Sequence, residues 1–367
     1  MVYRAIGIMS GSSLDGLDIV FAELHENAGK WTYEIIKADC YSYSTEWTEK
    51  LRSAVTLNAM EYQLLHAEYG QYIGKEVNRF IEKNGLQYKV ALIASHGHTT
   101  FHVPAKKMTA QLGDGAAIAA ETGLPVVTDL RALDVALGGQ GAPIVPVGEK
   151  LLLGDYDYFL NLGGIANISF TENSKRVAFD VCPANRVLNM LANEAGKEFD
   201  EGGRLASTGK VDDGLLNRLN ELDYYSQPYP KSLANDFGTD IVYPIIKNAG
   251  IGISDGLGTY IEHIVVQIKK AIANAGNNPE LKNPTSNLLA TGGGAFNSFL
   301  IQRLKEELQA LNTDVVIPDE NLVKYKEALI MALIGVLRWR EEYNVLSSVT
   351  GASRDSIGGA LWNGQDA

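Results

Sequence analysis

The chain has 367 residues, 46% of them hydrophobic and 21% charged, which excludes a disordered or fibrous chain and sets an expectation of about two domains. Thirty-two basic against 44 acidic residues leave a net charge of −12, and an acidic surface argues against nonspecific nucleic-acid binding. Two cysteines, Cys40 and Cys182, are too few for a disulfide framework or a four-cysteine metal site and point to a reducing cytoplasm.

At the start of the chain, residues 1–11 carry one arginine and a short apolar stretch broken by glycine, so no secretory leader is expected. Residues 3–8 read as a strand, Ser10-Gly11-Ser12-Ser13 as a glycine turn, and 18–23 as the returning strand. Glycine lets the backbone approach a ligand closely, and the serines add donors for phosphate oxygens. Asp15 and Asp18 in the same segment could hold Mg²⁺, directly or through water. The same residues also make an ordinary polar hairpin. Further on, His96, His98 and His102 gather three of the six histidines. Alternation along a strand sets His96 and His98 on one side, a possible metal pair, so a zinc or iron hydrolase is a competing reading. His25, His66 and His263 stand in no ligand-like spacing.

Asp114-Gly115 opens a helix over 116–122 that stops at Gly123-Leu124-Pro125. Arg131 follows shortly, suited either to a substrate carboxylate or to an ion pair with Asp129 or Asp134. The glycine cluster Gly138-Gly139-Gln140-Gly141-Ala142-Pro143 marks the expected domain boundary, as a hinge or as a tight loop. Beyond it, strand 158–162, turn Gly163-Gly164 with Asn167, and strands 166–170 and 177–180 repeat the layout of the first unit. Asp180 ends this run. A carboxylate at a strand end beside a glycine turn is a candidate general base, or a cap for the helix that follows from Arg186. A long amphipathic helix is expected over 257–275, with Ile261, Ile264, Val265 and Ile268 on its apolar face. A third strand, 288–291, runs into Gly292-Gly293-Gly294 and a helix from about 297 to 310. The apolar run 328–337 is about half the ~20 residues of a membrane span and reads as a buried helix.

No glycine is followed by lysine and a hydroxyl residue in a Walker pattern: Gly74-Lys75, Gly196-Lys197 and Gly209-Lys210 continue with Glu, Glu and Val. No strand leads into the dinucleotide fingerprint either. Three glycine turns, each after an apolar strand, fit the alternative used by actin and hexokinase. There two hairpins clamp the phosphates, and a third turn lies against the adenine.

Taken in order, these segments resemble the anhydro-N-acetylmuramic acid kinases, a branch of the actin-like sugar kinase superfamily. The resemblance runs over nearly the whole chain. It includes Gly7 to Gly16, Ser95-His96-Gly97, Gly113-Asp114, Asp129-Leu130-Arg131, the 138–143 cluster, Asn161-Leu162-Gly163-Gly164-Ile165-Ala166-Asn167 and Phe179-Asp180. It continues through Pro230-Lys231-Ser232, Thr291 to Asn297, Glu327-Ala328 and Thr350-Gly351-Ala352.

The resemblance implies an α/β fold of two actin-like, ribonuclease H-like lobes with an ATP cleft between them. One lobe is expected over 1–140, completed by the C-terminal segment 338–367. The other, with the adenosine-binding turn, is expected over 141–337. The implied activity is ATP-dependent conversion of 1,6-anhydro-N-acetylmuramic acid and water to N-acetylmuramic acid 6-phosphate, in cell-wall recycling. Carried over residue by residue, Ser10, Gly11, Ser12, Ser13, Asp15, Gly163, Gly164 and Asn167 would hold phosphates. Gly292, Gly293, Gly294 and Asn297 would line the adenosine. Asp180 and Glu327 would be catalytic, Thr99 and Arg131 would bind the sugar, and Asp15 and Asp18 would serve Mg²⁺. ATP and Mg²⁺ are the implied cofactors and a small amino sugar the partner, with no nucleic acid and no membrane; a homodimer stays open. The chain departs from the family at His98 (usually Gln), at Cys182 and Ala184 (usually Gly), at Asn189 (usually Asp) and at Ala234-Asn235-Asp236 (usually Gly-Arg-Glu). These departures are expected on the sugar side. A kinase of another amino sugar and a non-catalytic nucleotide-binding regulator are the alternatives.

Overall fold

A computed structural model describes residues 1–11, 14–229, 231–234, 236–275 and 285–364. Ser12, Ser13, Pro230 and Asn235 lie outside the described residues. The chain divides into two compact units, Met1–Gly154 with Tyr325–Ala367, and Asp155–Lys324.

In the first unit, β1 (Val2–Ser10), β2 (Gly16–Asn27) and β3 (Lys30–Ser42) form an antiparallel meander. β4 (Leu92–Ser95) lies parallel to β1 on its other side. A separate hairpin of β5 (His98–Val103) and β6 (Met108–Leu112) follows. β7 (Val126–Thr128) is parallel to β4. Ile6 and Ile8 of β1 face a core shared with the helix Ala59–Asn84. That helix begins in a capping box of Asn58 and Glu61 and ends at Gly85 with φ +62°, a left-handed cap that glycine adopts without strain. It buries Leu65, Tyr69, Ile73, Val77 and Phe80 at helical spacing. Gly7, between the two isoleucines, points to the opposite face. A Cβ there would stand 1.9 Å from the Ala328 carbonyl oxygen, so the helix Glu320–Trp339 can lie on β1 only because residue 7 is glycine. Residues 328–337 are buried as expected.

The second unit repeats the plan. β8 (Tyr158–Leu162), β9 (Ile165–Glu172) and β10 (Lys175–Pro183) are an antiparallel meander. β11 (Ser286–Thr291) and β12 (Thr313–Val316) add parallel strands beside β8. The sheet orders are β3-β2-β1-β4-β7 and β10-β9-β8-β11-β12. The first sheet is extended by β13 (Ala360–Trp362), antiparallel to β7. One supersecondary unit used twice, with strand order 3-2-1-4-5, is the ribonuclease H-like lobe of the actin-like fold. The helix Ile253–Ala275 packs Leu257, Ile261, Ile264, Val265 and Ile268 into the second core.

Three sequence expectations differ from what the chain does. The division falls at 154/155 and 324/325, where the sequence suggested 140/141 and 337/338. Residues 138–143 lie inside the first unit because they are tied there. Gln140 N–H donates to the Thr350 carbonyl at 2.8 Å, Gly141 N–H to Asp134 Oδ2 at 2.7 Å, and Arg131 Nε to the Gly141 carbonyl at 2.7 Å. The cluster is a clamped loop rather than a hinge. At the other end, helix 320–339 runs through residue 325, whose φ of −118° breaks its helical geometry. Third, His96 and His98 do not share a strand. Gly97, at φ +69°, turns the chain between β4 and β5, and the two rings make separate hydrogen bonds, to the Gly97 carbonyl and to Ser10.

Candidate functional site

The candidate residues divide between the units, and each group is built by its own sheet. In the second unit, direct pairing sets Asn161, Asn167 and Asp180 opposite one another across β8, β9 and β10. Opposite residues of antiparallel strands share a face, so two amides and a carboxylate form a row along one edge of the hairpin that ends in Gly163-Gly164. A bulge between Asp180 and Cys182 interrupts the pairing, a common way to re-aim a side chain. β10 therefore continues past Asp180 to Pro183, and Asp180 does not cap the following helix. Its Oδ2 accepts the Leu233 N–H at 2.9 Å. Its backbone is held by the Lys231 carbonyl at 3.1 Å and by Tyr224 Oη at 2.6 Å. Burial raises the Asp180 pKa, and the Leu233 N–H opposes that shift. The result is a fixed, half-buried carboxylate.

The Gly163-Gly164 carbonyls accept N–H bonds from Ala184, Asn185 and Arg186, which docks the helix Asn185–Glu194 on the turn. Neither glycine is required by packing. A Cβ on Gly163 would meet its nearest neighbours at 3.4 Å, and one on Gly164 at 3.8 Å, both ordinary contacts. The fold leaves a bare turn where side chains would fit, which suits close approach by a ligand. Gly292-Gly293-Gly294 behaves differently. Gly292 has φ +81° and would strike Asn161 Oδ1 at 2.7 Å, while Gly294 would strike Leu162 at 2.7 Å. These two glycines let the third turn dock on the end of β8. Gly293 alone meets nothing closer than 3.6 Å, and it lines a pocket of about 480 Å³.

That pocket is in the size range of a small-ligand site. Gly293, Gly294, Asn185, Asn189 and Asn297 form part of its wall, with Phe199 and Phe296 and with Glu201, Glu320 and Lys324. The two phenylalanines are 54% and 47% exposed, an arrangement suited to a flat aromatic ligand. Asn297 has a structural duty as well: its Oδ1 accepts the Leu300 N–H at 3.1 Å and caps the helix Ser298–Leu308. Asp200 is likewise engaged, by the N–H groups of Leu205 and Ala206. Asn189, expected on the sugar side, lines this pocket instead. Ala184 has φ −129°, so no glycine-only geometry is needed there. Sequence reasoning missed Phe199, Glu201, Gly202, Phe296 and Lys324. The Glu-Gly-Gly at 201–203 was the available signal, but no apolar strand precedes it.

In the first unit, Ser10 closes β1 and is buried. Its Oγ accepts from Tyr43 Oη at 2.7 Å and lies 3.1 Å from His98 Nδ1, while Tyr43 Oη lies 2.6 Å from Tyr69 Oη. The Ser10 hydroxyl is thus committed to the protein. Of the turn that follows, Gly11 belongs to the described residues and Ser12 and Ser13 do not. Asp18, opposite Met9 in the β1–β2 pair, has its pKa pushed up to about 6. Burial is the main cause, a Cys40 hydrogen bond opposes it, and the Glu327 and Asp15 carboxylates add to it. Glu327 is itself raised by burial. Glu327 has the Lys326 ammonium beside it, which opposes that rise, and the Glu149 carboxylate, which adds to it. Among the described residues, no group of three or more His, Cys, Asp or Glu could hold a metal ion. Mg²⁺ bound beside phosphates needs only one or two carboxylates.

Thr99 and Arg131 meet directly: Arg131 Nη1 donates to Thr99 Oγ1 at 3.0 Å, and Nη2 lies 3.4 Å from the His102 ring. Arg131 is buried at 8% exposure, with no carboxylate in ion-pair contact among the described residues. Burial and Arg131 hold the His96 pKa down, to about 4, so a neutral ring accompanies the guanidinium at neutral pH. A buried cation of this kind is prepared for an anionic ligand group.

A family model described as anhydro-N-acetylmuramic acid kinase matches residues 3–364. A protein of that name from Aliivibrio fischeri is 33% identical, over 98% of this chain and 99% of its own length. Others from Sulfurovum sp. and Vibrio parahaemolyticus are each 32% identical over 98% of this chain, and over 99% and 98% of their own lengths. The chain belongs to the anhydro-N-acetylmuramic acid kinase family.

Proposed function

We propose that this member of the family is an ATP-dependent sugar kinase, converting 1,6-anhydro-N-acetylmuramic acid, water and ATP to N-acetylmuramic acid 6-phosphate and ADP. The observation that carries the reading is the row Asn161, Asn167 and Asp180, set beside a glycine turn whose glycines the fold itself does not require. In this reading the pocket at Gly293 takes the adenosine, with its ring against Phe199 or Phe296. Gly163, Gly164 and Asn167 meet the phosphates, as does the backbone of the turn at Gly11. Asp15 and Asp18 would hold Mg²⁺, which would supply charge neutralisation for the phosphates.

Asp180 takes a proton from water as the water oxygen bonds to C1 of the sugar. The C1–O6 bond of the bridge breaks, and its electron pair remains on O6. O6 then bonds to the γ-phosphorus as the bond to ADP breaks. The proton ends on Asp180 and leaves to solvent. Arg131 pairs with the lactyl carboxylate of the sugar, Thr99 holds its position, and Glu327 orients the reacting oxygen. The chain works in the cytoplasm in this account, in keeping with two free thiols. No described helix is long and apolar enough to cross a membrane.

ADP formation measured with and without the anhydro sugar tests the proposal. Turnover that appears only with the sugar is the expected result. An equal rate without it would favour a nucleotide-binding regulator with a leaking ATPase.

A further inference from the structure

Arg186 carries a charge that no step of the proposed reaction uses. It is the second residue of helix Asn185–Glu194, and its backbone N–H donates to the Gly164 carbonyl at 3.3 Å. Its side chain returns to the same place. The heavy atoms nearest to a Cβ on Gly164 would be Arg186 Nε and Cβ, at 3.8 and 3.9 Å. The stem of the guanidinium therefore borders the bare surface of the turn.

Its electrostatic position is unusual. The Nε–H is buried and has no hydrogen-bond partner among the described residues. No described carboxylate lies within 4.0 Å of the guanidinium nitrogens. The first turn of the helix holds no acidic residue, and its cap, Ala184, offers no side-chain acceptor. A helix start carries partial positive charge, so Arg186 adds a full charge where none is balanced. Buried donors of charged groups are seldom left unpaired in native structures, because the lost solvation is not returned. An anion seated on the Gly163-Gly164 turn would provide the missing counter-charge.

We propose that Arg186 binds the polyphosphate of the nucleotide at the Gly163-Gly164 turn, donating from its guanidinium to non-bridging phosphate oxygens. The assignment rests on reading that turn as a phosphate clamp. Arginine suits the role because its planar fork matches two phosphate oxygens at once, which an ammonium cannot do.

Calorimetric titration with ATP and with AMP, on the unchanged chain and on Arg186→Gln and Arg186→Lys, tests it. Gln keeps length and polarity but removes the charge. ATP affinity should fall by about tenfold or more in Arg186→Gln, as loss of a charge-assisted bond implies. Arg186→Lys should recover part of that loss, and AMP affinity should change little in either variant. Wild-type ATP affinity in Arg186→Gln would overturn the assignment while leaving the clamp reading intact. An equal loss for ATP and AMP would also overturn it, showing that Arg186 only supports the helix. Failure of the unchanged chain to prefer ATP over AMP would refute the clamp itself.

Discussion

Replacing Asp180 by asparagine separates catalysis from architecture at the residue on which the proposed chemistry depends. The carboxylate accepts one backbone bond, from Leu233 at 2.9 Å. An asparagine carbonyl oxygen can accept the same bond in the same place. Exchanging a charged acceptor for a neutral one costs about 1 kcal/mol of bond strength. Burial, which raises the Asp180 pKa, works against the charged form and offsets part of that cost. Folding stability should therefore change by no more than about 1 kcal/mol, visible as a small shift in Tm. The rate should respond far more. An amide takes no proton from water, and loss of a general base lowers kcat by roughly 10²–10⁴-fold. ATP affinity by calorimetry should stay near wild type. The base assignment would be refuted by a kcat for Asp180→Asn within a few-fold of wild type with Tm unchanged.

Gly293→Val should abolish ATP binding with little loss of stability, since Gly293 meets nothing closer than 3.6 Å; unchanged affinity by calorimetry would remove the adenosine assignment. Gly7→Val should cost about 3 kcal/mol or more, because the new Cβ would overlap the Ala328 carbonyl; a Tm within a degree of wild type would contradict the packing described. Asp18, with a pKa pushed up to about 6, binds more protons folded than unfolded, so its contribution to stability is greatest below its ordinary value and is lost as pH rises through about 6. Without Mg²⁺, Asp18→Asn should flatten the fall in Tm between pH 4 and 7, and an unaltered slope would argue against the burial described. Arg131→Lys should raise KM for the sugar about tenfold or more while leaving KM for ATP unchanged, as loss of a bidentate contact implies; a change in the ATP constant alone would exclude a sugar-binding role.

The strands and glycine turns were legible because they depend on local sequence: short runs of four to six residues that lead into glycine turns leave few other structures open. The repeat of the meander could be read for the same reason. The domain limits could not, since they depend on tertiary ties. Nothing in Gly138 to Pro143 reveals that Asp134, Arg131 and Thr350 clamp it. The histidines misled because one glycine at φ +69° undid the strand alternation assumed for them. Among the site residues, Asp180 and Gly293 stood out by type and spacing. Phe199 and Phe296 did not, as an aromatic side chain in sequence looks like core until its exposure is known. The different duties of three adjacent glycines, two for docking and one for a pocket, were also invisible before the neighbouring strand was in place.

Mass analysis of the sugar product, with ADP counted in the same reaction, tests the central claim most directly. The chain would be incubated with ATP, Mg²⁺ and 1,6-anhydro-N-acetylmuramic acid. The account predicts one product that has gained both water and a phosphoryl group, formed one for one with ADP, with no free N-acetylmuramic acid on the way. A phosphorylated sugar that keeps its anhydro bridge, or ADP released with the sugar unchanged, would contradict it.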